Sequence, residues 1–180
     1  GAIILERGVE VRAGTRIEGP ARVDHDSFLL GGQLRHVSVG PHCRIHGEIS
    51  TTVFQGYANK SHDGFLGHSV VGEWVNLGAG TITSNLKNTY GPIRLDIGTE
   101  RVETGRTNLG TLFGDHAKTA IGTLMPTGAV VGTGANLFGA PRAPKWVPPF
   151  AWGGDGAERL SLEAFVTTAG RILPRRQVAV

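Results

Sequence analysis

The sequence predicts an all-β protein whose chain winds into a parallel β-helix of hexapeptide repeats. Large, mostly aliphatic residues recur every six positions in two parts of the chain: Leu5, Val11, Ile17, Val23 and Leu29, then Phe113, Thr119, Met125, Val131 and Leu137. A period of six fits neither the α-helix nor a long plain strand. It is typical of solenoids built from short strands and turns, with the large residue pointing inward.

Glycine usage supports the same interpretation. The chain has 28 glycines among 180 residues. Several of them follow an inward position directly, as Gly72 follows Val71 and Gly78 follows Leu77. Glycine adopts turn conformations that side chains oppose. We therefore assign most of the glycines to solenoid corners and predict that residues 1–139 form the β-helix.

The six-residue periodicity is lost between Leu86 and Asn108. This stretch is rich in Pro, Thr, Arg and Glu. Long insertions on repeat scaffolds frequently carry function. We predict a protruding loop or hairpin over residues 86–108.

The region after Gly139 changes character. Residues 140–151 contain four prolines, which a regular β-ladder does not accommodate. Ser161 then resembles an N-cap, and Phe165 and Ile172 share one face of a following helix that Pro174 ends. We predict that residues 140–180 form a strap and an α-helix, which either caps the open end of the solenoid or packs on a neighbouring chain.

Bulk properties limit the possible functions. The formal net charge of +3 is modest and no nucleic-acid motif is present, so we expect no nucleic-acid partner. No apolar run reaches the length of a membrane span, and the first residues do not resemble a signal peptide. A single cysteine, Cys43, is compatible with a reducing compartment. We expect a cytoplasmic protein that binds no membrane.

The segment from Asn59 to Asn85, NKSHDGFLGHSVVGEWVNLGAGTITSN, holds the candidate site. His62 lies just upstream of two aliphatic–glycine steps and the run Asn76–Thr83, NLGAGTIT. This spacing resembles the acetyltransferase half of bifunctional N-acetylglucosamine-1-phosphate uridyltransferases. The segment GYANKSHDGFLG is similar to the matching segment of sugar nucleotidyltransferase-like proteins that are related to this family.

The resemblance implies a left-handed parallel β-helix, a homotrimer with active sites between neighbouring solenoids, and acetyl-CoA as the acyl donor. It also implies a nucleotidyltransferase domain before residue 1. Imidazole is a competent base near neutral pH. The matching positions assign His62 as general base, the N–H of Ala79 as oxyanion donor, and Asn76 and Asn85 as sugar ligands, with Lys87 as a phosphate contact.

Two departures from the family pattern leave the acceptor open. Phe65 stands where the family has a tyrosine, and Ser50 or Thr51 stands where it has a phosphate-binding lysine. Lys60, two residues before His62, is a candidate for the missing charge, so we include Lys60 and Phe65 among the substrate-binding residues. The acceptor class is an amino sugar, as a phosphate or linked to a nucleotide.

Two other functions stay open at this point. One is a non-catalytic domain that trimerises a nucleotidyltransferase or binds a sugar nucleotide. The other is a zinc hydratase similar to γ-class carbonic anhydrases, with His42 and His46 on one face of a strand near Cys43. The remaining histidines do not match the ligand spacing of that class.

Overall fold

The computed structural model describes residues 1–154 and 158–176, and its regular secondary structure consists mainly of short β-strands joined by turns. In chain order they are β1 (Ile3–Leu5), β2 (Glu10–Val11), β3 (Thr15–Glu18), β4 (Ala21–Val23), β5 (Phe28–Leu29), β6 (Gly32–Arg35), β7 (Ser38–Val39), β8 (Arg44–Ile45), β9 (Glu48–Ser50), β10 (Val53–Phe54), β11 (Asn59–Lys60), β12 (Phe65–Gly67), β13 (Val70–Val71), β14 (Asn76–Leu77), β15 (Ile82–Thr83), β16 (Arg94–Ile97), β17 (Glu100–Glu103), β18 (Leu112–Phe113), β19 (Lys118–Thr119), β20 (Leu124–Met125), β21 (Val130–Val131), β22 (Asn136–Leu137), β23 (Trp146–Val147), β24 (Ala151–Trp152) and β25 (Glu158–Arg159).

Three sets of parallel strands form the faces of the solenoid. The first face runs β1-β4-β7-β10-β13-β18-β21-β23, and the second runs β2-β5-β8-β11-β14-β19-β22-β24. The third face consists of β3-β6-β9-β12 followed by β15-β20. Each complete coil therefore contributes one strand to each face, as the hexapeptide period predicts, and the all-β solenoid is confirmed.

The core is a set of columns made by the inward residue of each strand. On the first face Val23, Val39, Phe54, Val71 and Phe113 are in register and buried. Burying an aliphatic or aromatic side chain of this size contributes about 1.5–3 kcal/mol. The columns therefore supply most of the stability and fix the positions of the corners.

The segment 86–108 forms the predicted protrusion as an antiparallel hairpin of β16 and β17. It folds back along its own solenoid. Ile93 is fully buried, and it lies so close to Gly128 that a Cβ on this glycine would come within 2.6 Å of Ile93 Cγ2.

The parallel pairing continues past Gly139, where we expected it to end. β23 pairs with β21, and β24 pairs with β22. Pro148 and Pro149 lie between these two strands, in a turn where no ladder hydrogen bond from their nitrogens is needed. The boundary at 139 is corrected to a point after Trp152. Residues 155–157 and 177–180 of the predicted 140–180 region lie outside the described residues.

The predicted C-terminal helix is present as α1 (Leu162–Ile172), followed by a 3₁₀ turn over Leu173–Arg176. Ser161 caps it, because its hydroxyl accepts a hydrogen bond from the N–H of Ala164 at 3.2 Å. The ring of Phe165 packs edge-on against His116 and Phe150. The helix and its turn therefore lie along the flank of the solenoid, where Phe165 contacts His116 and Arg176 reaches His42. No helix within the described ranges is both long and apolar enough to cross a membrane.

Candidate active site

His62 occupies a corner of the fourth coil, between β11 and β12, with its side chain exposed. It lies on the rim between two depressions. The first, which we call the helix-side cavity, has a volume of about 520 Å³ and is enclosed by β11, β14 and the end of α1. The second, the corner cavity, is of similar size and contains Ala79 and Gly80. The imidazole is therefore accessible to ligands from both sides.

Lys60 is fully buried and lies in an inward column of the second face, in register with Ile45. Its ammonium donates hydrogen bonds to the carbonyl oxygens of His62 and of Asp63, the latter at 3.1 Å. Burial lowers the pKa of Lys60 to about 8, while the nearby Asp63 carboxylate opposes that shift. The substrate-binding role expected for Lys60 is corrected, because its charge is directed inward and holds the turn that carries His62.

Ala79 shares the corner cavity with His62. Its carbonyl oxygen accepts a hydrogen bond from the N–H of Gly122 at 2.8 Å. Within residues 1–154 and 158–176, nothing accepts a hydrogen bond from the N–H of Ala79. This donor is therefore available for a ligand oxygen, which is the property that an oxyanion contact requires.

Asn76 lies on the outer side of β14 and lines the helix-side cavity with His62. Ser61 Oγ donates to Asn59 Oδ1 at 2.6 Å, and Asn59 Nδ2 donates to Asn76 Oδ1 at 2.8 Å. This chain of hydrogen bonds fixes the orientation of the Asn76 amide. No described residue accepts a hydrogen bond from its Nδ2 group, which can therefore donate to a ligand beside His62.

Three other residues assigned from the resemblance lie elsewhere on the same chain. Asn85 Nδ2 is 2.8 Å from His68 Nδ1, near the ring of Phe65 at the corner after the third face. Lys87 Nζ donates to the carbonyl oxygen of Pro92 at 2.9 Å. One solenoid thus brings His62 together with Asn76 and Ala79, and it does not bring Asn85, Phe65 or Lys87 into either cavity.

The zinc-site alternative is not supported by the positions of its residues. Cys43 is fully buried, and burial raises the pKa of its thiol to about 12. His42 lies in a turn with φ 54°, so the strand alternation that would align it with His46 does not apply. His46 Nδ1 lies 3.3 Å from Asp63 Oδ1. The described residues contain one three-member group with metal-binding spacing, His25, Asp26 and His42, which includes neither Cys43 nor His46.

An aromatic column that was not predicted from the sequence runs along one corner and consists of His42, Tyr57, Trp74 and His116. The rings of Tyr57 and Trp74 are stacked, with centroids 4.5 Å apart and planes 6° apart. All four residues have φ between 54° and 60°, a strained conformation for residues with a Cβ. Stacking contributes about 0.5–1.5 kcal/mol per pair and offsets part of this strain. Each member follows an inward residue of the first face by three positions, a spacing that the sequence displays.

The comparisons with known proteins agree with this architecture. The chain is 29% identical over 142 residues to a bifunctional sugar-1-phosphate nucleotidylyltransferase/acetyltransferase of Sulfurisphaera tokodaii, covering 77% of the chain and 35% of the relative. It is 31% identical over 127 residues to the bifunctional protein GlmU of Gloeobacter violaceus, covering 66% of the chain and 26% of the relative. These matches fall at the C-terminal end of the relatives. The chain resembles the C-terminal part of bifunctional nucleotidylyltransferase/acetyltransferases.

The chain spans about a quarter to a third of the length of these two curated relatives. No family model matches it. A presumed acetyltransferase of Bacillus cereus superposes with a TM-score of 0.51 at 15% identity, covering 97% of this chain and 92% of that chain. The N-acyltransferase AntD of the same organism gives 0.50 at 12% identity, covering 95% and 90%. The predicted left-handed parallel β-helix is confirmed.

Proposed function

We propose that this chain is an acyltransferase domain that moves an acetyl group from acetyl-CoA to the amine of an amino sugar, with His62 as general base. The observation that supports this most directly is the shared corner cavity. It places an exposed imidazole and an unused backbone N–H, that of Ala79, in one depression. Acyl transfer requires these two groups together, a base for the attacking nucleophile and a donor for the developing oxyanion.

In the proposed step His62 first accepts a proton and then returns it. Acetyl-CoA supplies the acetyl group as a thioester. His62 accepts the proton that the attacking amine loses as the carbon–nitrogen bond forms, and it returns this proton to the sulfur as the carbon–sulfur bond breaks. The N–H of Ala79 donates to the carbonyl oxygen while that oxygen carries negative charge. Asn76 Nδ2 donates to the sugar and orients its amine.

We also propose that the working unit is a homotrimer. Asn85, Phe65 and Lys87 contact ligands in this proposal only if they come from a neighbouring copy, because on one chain they lie away from His62. A site shared between solenoids is therefore consistent with the assignments from the sequence. A cytoplasmic location, where acetyl-CoA is made and used, is part of the same proposal.

The test measures release of free CoA thiol from acetyl-CoA in the presence of glucosamine 1-phosphate or a nucleotide-linked amino sugar. We expect turnover with at least one of these acceptors and a loss of about a hundredfold or more in His62→Gln. His36→Asn is the matched control, since His36 is an exposed histidine at another corner and its φ of 53° suits asparagine. Full turnover in His62→Gln would remove the proposed base. Binding without turnover would favour the non-catalytic sugar-nucleotide-binding alternative.

A further inference from the structure

The C-terminal end of α1 and its 3₁₀ turn complete a cationic cavity beside His62. Four basic side chains line the helix-side cavity: Arg44 from β8, Lys118 from β19, and Arg175 and Arg176 from the turn. No aspartate or glutamate is among the described residues that line it. Its net charge is therefore strongly positive, although the whole chain carries a formal charge of only +3.

These cations form no direct ion pair among the described residues, although Glu10 and Asp26 line an adjoining cavity with three of them. Among the residues that the structure covers, no carboxylate lies within 4 Å of any of the four. Arg176 Nε donates to the carbonyl oxygen of His42 at 3.1 Å, which anchors the turn to the solenoid. Burial and the neighbouring Arg44 lower the pKa of Arg176 to about 10. Cations crowded in this way are stabilised by a bound anion.

The rest of the wall suits a ligand with more than phosphate groups. Tyr57 and Trp74 contribute aromatic surface to the lining, and Asn76 and His62 line the same cavity. A volume of about 520 Å³ falls within the usual range for small-molecule sites. The cavity therefore offers, in one place, cations for phosphates, an apolar wall and the proposed reactive centre.

We propose that the helix-side cavity binds a diphosphate group, and that Arg44 and Arg176 are its main contacts. This rests on the proposed function for its two sources, the diphosphate of a nucleotide-linked amino sugar and that of CoA. Both ligands present two linked phosphates and a reacting group at some distance from them. The C-terminal turn thus belongs to the ligand site in addition to packing against the solenoid.

The experiment measures binding by titration calorimetry, without turnover. The probes are inorganic pyrophosphate, UDP and CoA, each at low and at high NaCl. We expect pyrophosphate to bind, and we expect its affinity to fall as the NaCl concentration rises. We expect Arg44→Gln combined with Arg176→Gln to reduce its affinity by about tenfold or more. Arg106→Gln, an exposed arginine on the inserted segment, serves as the control and should leave affinity unchanged.

The two larger probes distinguish the sources. Tighter binding of UDP than of pyrophosphate assigns the site to the nucleotide sugar, and tighter binding of CoA assigns it to the donor. Lys118→Gln is a second variant if the double substitution unfolds, which its thermal midpoint will show. Equal affinity in wild type and in both variants, or no binding of any probe, overturns this proposal. If acetyl-CoA and an amino-sugar acceptor still release CoA thiol in the turnover assay, the proposed function stands, so the two failures are distinguishable.

Discussion

Lys60 reaches from the interior of the solenoid to the backbone carbonyl oxygen of His62, and a buried charge thereby fixes the corner that carries the candidate base. The same ammonium also bonds the carbonyl oxygen of Asp63 at 3.1 Å. Most other residues in this inward column are aliphatic, as Ile45 and Leu77 are. The solenoid therefore contains a polar group at the level where the site is located.

The charge on Lys60 predicts a specific dependence of stability on pH. Its pKa is about 8 in the folded chain, below the ordinary value of 10.5. Between these values the unfolded chain binds more protons, so the free energy of unfolding rises with pH. We expect wild type to gain up to about 3 kcal/mol relative to Lys60→Met between pH 8 and pH 10.5. Urea denaturation at several pH values measures this, and a constant difference would contradict it.

Lys60 also predicts an effect on catalysis if His62 is the base. Lys60→Met leaves the carbonyl oxygens of His62 and Asp63 without their buried donor, so the corner shifts. A displacement of the order of 1 Å at a catalytic group reduces rates by up to about a hundredfold. We expect kcat for CoA release to fall by about tenfold or more while KM changes little. A fall confined to KM would indicate a substrate contact instead.

We predict that the same corner does not tolerate a side chain at Gly64. Its φ is +130°, and a Cβ would lie 2.2 Å from the carbonyl oxygen of Thr81. We expect Gly64→Ala to lower the free energy of unfolding by about 2–3 kcal/mol. Gly98→Ala is the control, since Gly98 also has positive φ but nothing lies within 4 Å. It should lose only about 1 kcal/mol, and an equal loss in both would contradict the steric argument.

The hairpin predicts a contrast between two isoleucines. Ile93 is fully buried against the solenoid, whereas Ile97 at the tip of β16 is 39% exposed. Ile93→Ala should lower the free energy of unfolding by about 2–4 kcal/mol, and Ile97→Ala by less than about 1 kcal/mol. Chemical denaturation of the two variants measures this. Similar small losses would show that the hairpin is not packed as described.

His116 predicts a loss of stability at mildly acidic pH. Burial lowers its pKa, and the neighbouring Lys118 adds to that shift while Asp115 opposes it. The unfolded chain therefore binds the proton more readily, and stability falls as pH drops through the ordinary histidine range near 6.5. His116→Phe should reduce the fall in thermal midpoint between pH 7 and pH 5. Phe150, at the same corner with φ 58°, shows that phenylalanine is accepted there.

The hexapeptide pattern predicted the solenoid because the repeat is visible in the sequence without knowledge of tertiary contacts. A six-residue spacing identifies inward residues such as Val23 and Leu29, and its loss marks the insertion. The middle coils do not keep this spacing, because Val39 follows Val23 by 16 positions and Phe54 follows Val39 by 15, where three hexapeptides would give 18. The predicted end of the solenoid at Gly139 was wrong, because Pro148 and Pro149 interrupt no strand and lie in the turn between β23 and β24. Proline identity is visible in a sequence, but its position within a coil is not.

The candidate site was predictable only in part. His62, Asn76 and Ala79 follow from the local motif and lie together. Lys60 falls six residues after Phe54, which is an inward position of the hexapeptide repeat. Its charge nevertheless suggested a contact with substrate. The contribution of Arg176 could not be inferred at all, because it depends on how α1 returns along the flank to a coil 134 residues earlier.

The hairpin inserted between β15 and β18 separates strands that nevertheless stack in register. Asn76 pairs with Lys118, 42 positions later, whereas Asn59 pairs with Asn76 after 17. Closing the longer loop adds only about 0.8 kcal/mol of chain entropy. The connection between β15 and β18 is therefore a place where related chains can gain or exchange whole insertions. The reacting groups at Asn76 and Ala79 keep their spacing when this happens.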